Sequence, residues 1–205
     1  RDFIANAAHE LRTPLTNLQG YLEALRDGVI VADRATYESL HEEADRLVRL
    51  SRSLDALADG DTGASPPQRV ELDLASAITS ALELVMPSIE RAGLRLELDV
   101  PATIPARADP DRLAQVLANL LSNAVRYTPA GGVVAVRAER RPGDVLISVA
   151  NTGDGIPPDD LERVFERFYR VEKSRDRARG GAGIGLAIVK QLVEQGGGRI
   201  GAESH

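Results

Sequence analysis

The sequence contains no cysteine. Disulfides, thiolate metal sites and cysteine nucleophiles are therefore excluded, and a reducing compartment suits the chain. Aromatic residues make up only 3% of it, so any core must be aliphatic, whereas hydrophobic residues reach 43%, enough to form one and to argue against wholesale disorder. The net charge is −6, with no basic surplus, so no nucleic-acid partner is expected. No apolar run approaches the roughly 18 residues that a membrane span requires, and no signal peptide opens the chain, so this stretch is expected to make no membrane contact. The 205 residues suffice for one ordinary domain and a smaller one. The sequence begins inside a helical pattern and stops at Ser204-His205 just after a strand signal, which reads as part of something longer.

Residues 2–27 are helical and heptad-like, with Ile4, Ala8, Leu11, Leu15, Leu18, Leu22 and Leu25 alternating steps of four and three. Gly28 and Val29-Ile30-Val31 interrupt the pattern. A second helix is predicted from Asp33 to Asp59, with a seam at Tyr37, Leu40, Ala44, Leu47, Leu50, Leu54 and Leu57. Two such helices on a short loop form an antiparallel hairpin. One hairpin cannot bury both seams, so pairing with a second copy into a four-helix bundle is expected. Gly60 to Pro67 is a linker by composition. The expected domains are therefore a hairpin over 1–60, a linker over 61–68 and a second domain over 69–205.

Beyond the linker the pattern mixes helices and strands. Helices are predicted over 74–91, from Asp109-Pro110 to Tyr127, after Pro157-Pro158, and over 185–194. Strands are predicted around Leu94–Val100, Val134–Ala138 and Val145–Val149, the last two joined as a hairpin through Arg141-Pro142-Gly143-Asp144. This points to an α+β two-layer sandwich with antiparallel-leaning strands.

Four segments carry chemistry. His9 stands at the edge of the first seam, beside Glu10, with Pro14 inside the same helix. That proline removes an amide donor and crowds the Glu10 carbonyl, so a bend is expected at His9. An imidazole with one unprotonated ring nitrogen is a nucleophile near neutral pH, and an adjacent carboxylate can hold the other nitrogen's proton. Asn119 and Asn123 are four apart and share a helix face, and amide oxygens suit Mg²⁺. Arg126 and Tyr127 continue that face toward phosphate and base. Asn151-Thr152-Gly153-Asp154-Gly155-Ile156 follows a strand, and its glycines allow close backbone approach to a ligand. Gly180-Gly181-Ala182-Gly183-Ile184-Gly185-Leu186 leads into the last helix, where backbone amides favour an anion. It is neither a Walker loop nor a dinucleotide fingerprint. Taken singly, each segment also fits a surface histidine, solvent-facing asparagines or an ordinary turn.

Phe3-Ile4-Ala5-Asn6-Ala7-Ala8-His9-Glu10-Leu11-Arg12-Thr13-Pro14-Leu15 resembles, nearly residue for residue, the phosphoacceptor box of the histidine kinases. The other three segments, in order, are similar to that family's N, G1 and G2 boxes, and Phe165-Glu166-Arg167-Phe168-Tyr169-Arg170 to its F box. The resemblance implies a dimeric helical hairpin followed by a Bergerat-type ATPase sandwich, with ATP and Mg²⁺ bound. His9 would be the phosphoacceptor and Glu10 its general base, with Thr13 positioning water for dephosphorylation of the partner. Asn123 and Asn119 would serve Mg²⁺ and phosphates, Tyr127 the adenine face and Asn151 the exocyclic amine. Gly153, Gly155 and Ile156 would line the pocket. Gly181, Gly183, Gly185 and Leu186 would hold phosphates, with Arg126 and Arg170 nearby. The stretch from Val171 to Gly180, with Lys173, Arg175, Arg177 and Arg179, would be a lid. The implied partners are a second copy of the chain and the receiver domain of a response regulator. The implied location is the cytoplasmic side of a sensor anchored in the inner membrane.

Three features depart from the family. Position 151 is usually Asp and here is Asn; position 182 is commonly Thr or Ser and here is Ala; and the strand that usually follows Ala202 is missing. The first two leave room for a catalytically silent dimeric scaffold. A gyrase-type ATPase fits less well, because position 119 is Asn where a water-activating acid would be needed. His41 and His205 have no comparable surroundings and are expected to be ordinary.

Overall fold

A computed structural model describes residues 2–61, 66–171 and 182–204. The centre of the expected linker, most of the expected lid, Gly181 and His205 lie outside the described residues. The chain divides into two compact units, Arg1–Ala64 and Ser65–His205.

The first unit is a hairpin of α1 (Asp2–Arg26) and α2 (Arg34–Asp61). Gly28 takes φ +69°, and Val29 N–H returns to the Ala24 carbonyl at 2.8 Å, closing α1 with a left-handed glycine. Asp33 starts α2 by accepting from the Thr36 N–H at 2.8 Å. Ala7, Pro14 and Leu50 are buried, Leu11, Leu18, Leu25, Leu40 and Leu47 are half-buried, and Asn17 donates to Glu43 across the hairpin at 3.2 Å. The expected seam is thus only partly used. Ala8 is exposed, and Leu15, Leu22 and Tyr37 remain 54%, 57% and 59% exposed. A single neighbour covers one stripe of a helix, whereas the apolar band here is wider than one stripe.

The second unit contains β1 (Val70–Asp73), α3 (Leu74–Arg91), β2 (Arg95–Asp99), β3 (Pro105–Ala108), α4 (Pro110–Tyr127), β4 (Val133–Arg141), β5 (Asp144–Asn151) and α5 (Gly185–Gln195). The main sheet has the order β2-β4-β5. β4 and β5 are antiparallel around the Pro142-Gly143 turn, with Val136 opposite Val149 and Gly143 at φ +88°. β2 runs parallel to β4, with Leu96 opposite Val134, the exception among the described strand pairs to the antiparallel leaning. A parallel pair needs a crossover of a dozen or more residues, and residues 100–132, including α4, supply it. β1 and β3, which periodicity did not reveal, form a separate antiparallel pair with Leu72 opposite Ala106. Four residues each, one strand beginning at a proline, leave too little alternation to read.

One face of β4, Val134, Val136 and Ala138, is buried under the helices. Ile78 and Leu82 of α3, Leu117 and Leu121 of α4, and Ile104 pack with Val136 and Ala138 into an aliphatic core. The expected helix after Pro157-Pro158 is instead two single 3-10 turns, Pro158–Asp160 and Arg163–Phe165. The Tyr169 hydroxyl reaches back to Asp160 at 2.5 Å and the Phe168 N–H bonds the Gly183 carbonyl at 2.8 Å, contacts that fold the segment on itself instead of extending it. Residues 198–204 form no regular element; Arg199 lies 4.0 Å from Asp144 at the start of β5, and Ser204 accepts from Ile156 beyond its end.

Two aspartates fix the helix starts and reach beyond them. Asp73 caps α3 and also accepts from the Ile104 N–H at 2.6 Å. Asp109 caps α4 through Asp111 and Arg112 and also accepts from the Gln68 N–H at 2.9 Å. The Ile104 amide holds the Asp73 carboxyl below the usual carboxylate range, and the Arg112 and Gln68 amides do the same for Asp109. Ionisation is therefore favoured in the folded state. The stabilisation is complete above the unfolded-state value, near pH 4, and is lost as pH falls through the lower folded values. Replacing both residues by Asn, which still caps, should flatten the acid limb of stability measured by urea unfolding between about pH 5 and 2. An unchanged slope would show that these carboxylates do not set it.

Candidate functional site

α4 turns Leu117, Leu121 and Ala124 into the core and carries Asn119 and Asn123, both half-buried, on another face. Asn119 Nδ2 donates to the Gln115 carbonyl at 2.9 Å, leaving Oδ1 to face α5. A Cβ at Gly185 would stand 3.1 Å from Asn119 Oδ1 and 3.8 Å from Asn123 Nδ2. The absent side chain at 185 is what lets the two amides approach the α5 backbone. Ile184 precedes that helix without a side-chain cap, so its first amides are free to bind an anion. Among the described residues no group of three His, Cys, Asp or Glu could hold a metal. A Mg²⁺ ion here would rely on neutral amide oxygens, a ligand's own oxygens and water, a donor set that suits it.

The end of α4 meets the end of β5. The buried Thr128 closes α4 with a 2.5 Å bond from Oγ1 to the Ala124 carbonyl. Thr152 and Val133 exchange hydrogen bonds, Thr152 N–H to the Val133 carbonyl and Val133 N–H to Thr152 Oγ1, both at 2.9 Å. A Cβ at Gly153 would lie 2.8 Å from the Tyr127 carbonyl oxygen, so the two segments touch through bare backbone. Asn151 is exposed, and its Nδ2 donates to the Thr152 carbonyl at 3.1 Å. Gly155 takes φ +71°, and the Ile156 N–H donates to Ser204 Oγ at 2.9 Å. Ser204 thus supports this loop from 48 residues away, which no local pattern signals.

Gly183 takes φ +67°, and a Cβ there would stand 2.7 Å from the Tyr169 carbonyl oxygen. Among the described residues Phe168 is the one non-glycine with positive φ, +65°, and it bonds Gly183. Behind this contact, Arg163 lies 4.1 Å over the Tyr169 ring, and the hydrogen bond to Asp160 raises the tyrosine's pKa. Neither Asp160 nor Arg163 is singled out by any pattern in the sequence. Arg126, Arg170 and Leu186 are half-buried, and Tyr127 is exposed at the end of α4.

Three clusters therefore form in the second unit: Asn119, Asn123 and Gly185; Tyr127, Asn151 and Gly153; and Gly183 with the Phe168 segment. In the first unit His9 is exposed on α1, Glu10 is half-buried, and Thr13 Oγ1 donates to the His9 carbonyl at 3.4 Å. The helix runs unbroken through the buried Pro14. His41 pairs with Asp45 at 3.6 Å on the exposed side of α2.

Residues 1–63 match the family described as His Kinase A (phospho-acceptor) domain, and residues 108–205 the family of histidine kinase-, DNA gyrase B- and HSP90-like ATPases. The signal transduction histidine-protein kinase BaeS of Escherichia coli K12 is 42% identical over 200 residues, which is 98% of this chain and 43% of BaeS. The chain spans less than half the length of the curated relatives it matches. Among solved structures, the Acinetobacter baumannii histidine kinase AdeS aligns with TM-score 0.76 at 29% identity, over 91% of this chain and 86% of that one. A mycobacterial sensor histidine kinase, MprB, aligns with TM-score 0.55 at 34% identity, over 63% and 80%.

Gly183→Ala tests the tightest contact in the site. Its strained φ and its collision with the backbone of Phe168 and Tyr169 should cost about 1–3 kcal/mol, read as a lower midpoint in urea unfolding. Gly131→Ala has a similar φ with open space around it and separates the two effects, since it should cost less.

Proposed function

Since the chain belongs to the histidine kinase family, we propose that it forms the kinase core of a sensor, transferring the γ-phosphoryl group of ATP to His9 and then to an aspartate of a response regulator's receiver domain. The observation that carries this reading is the convergence of the Asn119 and Asn123 amides on the backbone of Gly185, at the uncapped start of α5.

The hairpin, residues 1–60, serves dimerisation and phosphotransfer; 61–68 is the linker; 69–205 binds ATP. Tyr127 lies against the adenine, and Asn151 Oδ1 accepts from its amine. Gly153, Gly155 and Ile156 line the pocket. Arg126, Arg170, Gly181, Gly183, Gly185 and Leu186 surround the phosphates. Asn123 and Asn119 would hold Mg²⁺, which supplies charge neutralisation on the triphosphate. At His9 the unprotonated ring nitrogen bonds to the γ-phosphorus while the bond to the bridging oxygen breaks and ADP leaves with its electron pair. Glu10 takes the proton from the other ring nitrogen. Positioning carries most of the rate, with little covalent help from elsewhere. Thr13, already bonded to the His9 backbone, orients water when the regulator is dephosphorylated.

The exposed Leu15, Leu22 and Tyr37 support pairing of two hairpins into a four-helix bundle, since water would otherwise cover a large apolar band. No helix among the described residues is long and apolar enough to cross a membrane. The core belongs on the cytoplasmic side of a sensor anchored in the inner membrane.

With γ-labelled ATP and Mg²⁺, the chain should acquire an acid-labile label that His9→Gln abolishes. ATP binding without label would favour the silent scaffold, and free phosphate in place of label the simple ATPase. Asn151→Asp should tighten ATP binding about fivefold by exchanging a neutral acceptor for a charged one, measured by calorimetry. Equal affinities would remove Asn151 from the base contact.

A further inference from the structure

We infer that Asn151 widens the base range of the nucleotide site from 6-aminopurines to 6-oxopurines, so that inosine triphosphate is accepted beside ATP. This rests on the proposed reading of the site as a purine pocket.

The inference follows from what the side chain can donate and accept. A carboxylate is acceptor-only; a carboxamide carries one acceptor oxygen and two N–H donors of nearly the same shape. The amine of a 6-aminopurine donates, and either side chain accepts from it. A 6-oxopurine instead presents an acceptor at position 6 and a donor at N1. A carboxylate faces that O6 with like charge density and has nothing to give it. Asn151 can turn half a revolution about its Cβ–Cγ bond, giving Nδ2–H to O6 and receiving the N1 proton on Oδ1.

The surroundings permit both orientations. Nδ2 now donates one hydrogen to the Thr152 carbonyl at 3.1 Å, which leaves Oδ1 and the second Nδ2 hydrogen for a ligand. Turning the amide gives up that bond and would set Oδ1 against the Thr152 carbonyl oxygen, so the side chain must also swing away about Cα–Cβ. Asn151 and Thr152 are both exposed, which leaves room for the swing and lets water satisfy the carbonyl. The neighbouring surface is backbone: Gly153 approaches the Tyr127 carbonyl where a Cβ would lie 2.8 Å away, and the same Cβ would be 3.5 Å from Asn151 Nδ2. Discrimination between the two purine edges then costs one replaceable hydrogen bond, worth roughly tenfold in affinity, instead of the far larger penalty of an unmatched polar contact.

The test is competition of Mg·ATP and Mg·ITP against a fluorescent ATP analogue, on the full chain and on Asn151→Asp and Asn151→Ala. ITP isolates the edge in question because it differs from ATP only at position 6 and N1. The native chain should bind ITP within about tenfold of ATP. Asn151→Asp should widen the ATP-to-ITP ratio by a further tenfold or more. Asn151→Ala should weaken both nucleotides by similar factors. An equal ratio in the native chain and the Asp variant, or an Ala variant that weakens ATP alone, overturns the inference while leaving the purine pocket standing. Failure of ATP itself to compete on the native chain overturns the pocket reading, and the inference with it.

Discussion

The second unit depends on how α4 is packed. Leu117, Leu121 and Ala124 recur at helical spacing and are buried against the sheet side, where Val134, Val136 and Ala138 supply the other half of an aliphatic core. Asn119 lies two positions beyond Leu117 and Asn123 two beyond Leu121, about 200° further round a helix. Burying one face therefore turns the other toward α5, where Gly185 leaves room for it. The polar chemistry of the site is positioned by apolar packing on the opposite side of the same helix.

That helix is held at both ends. Asp109 starts it and also ties down Gln68, while Thr128 stops it where β4 and β5 are joined through Thr152 and Val133. Arg69, next to Gln68, donates to the Gly196 carbonyl at the end of α5 at 2.7 Å. The first residues of the second unit thus touch the start of the asparagine-bearing helix and the end of the helix that follows the glycine-rich loop. At that loop, Gly183 and Phe168 accept left-handed backbone geometry so that the segment from 158 to 171 can close on it. Strain of this kind persists where surrounding contacts over-determine it, and the Asp160–Tyr169 bond and the Arg163 stack are such contacts.

Much of this was legible in the sequence. The start of α4 follows from Asp109-Pro110 and the extents of α3 and α4 from their periodicity, because caps and apolar stripes are local signals. The β4–β5 hairpin follows from alternation around Pro142-Gly143. What escaped was non-local. The parallel pairing of β2 with β4 is decided by a crossover, β1 and β3 by a partner more than thirty residues away, and the missing helix after Pro158 by docking onto Gly183. In the hairpin, the heptads gave the helices but not which seam residues face the neighbour and which, like Leu15 and Leu22, face outward. The site residues stood out by type and order. Ser204 and Asp160 did not, since their roles come from contacts that a single sequence does not reveal.

On the proposed reading, the asparagine face of α4, the loop after β5 and the start of α5 act as one nucleotide site. Amide hydrogen exchange with and without Mg·ATP tests it most directly. Slowed exchange is expected to concentrate in residues 119–127, 151–156 and 183–188, with the strands β1 and β3 unaffected. Protection absent from those three segments, or centred on the β1–β3 pair, would contradict it.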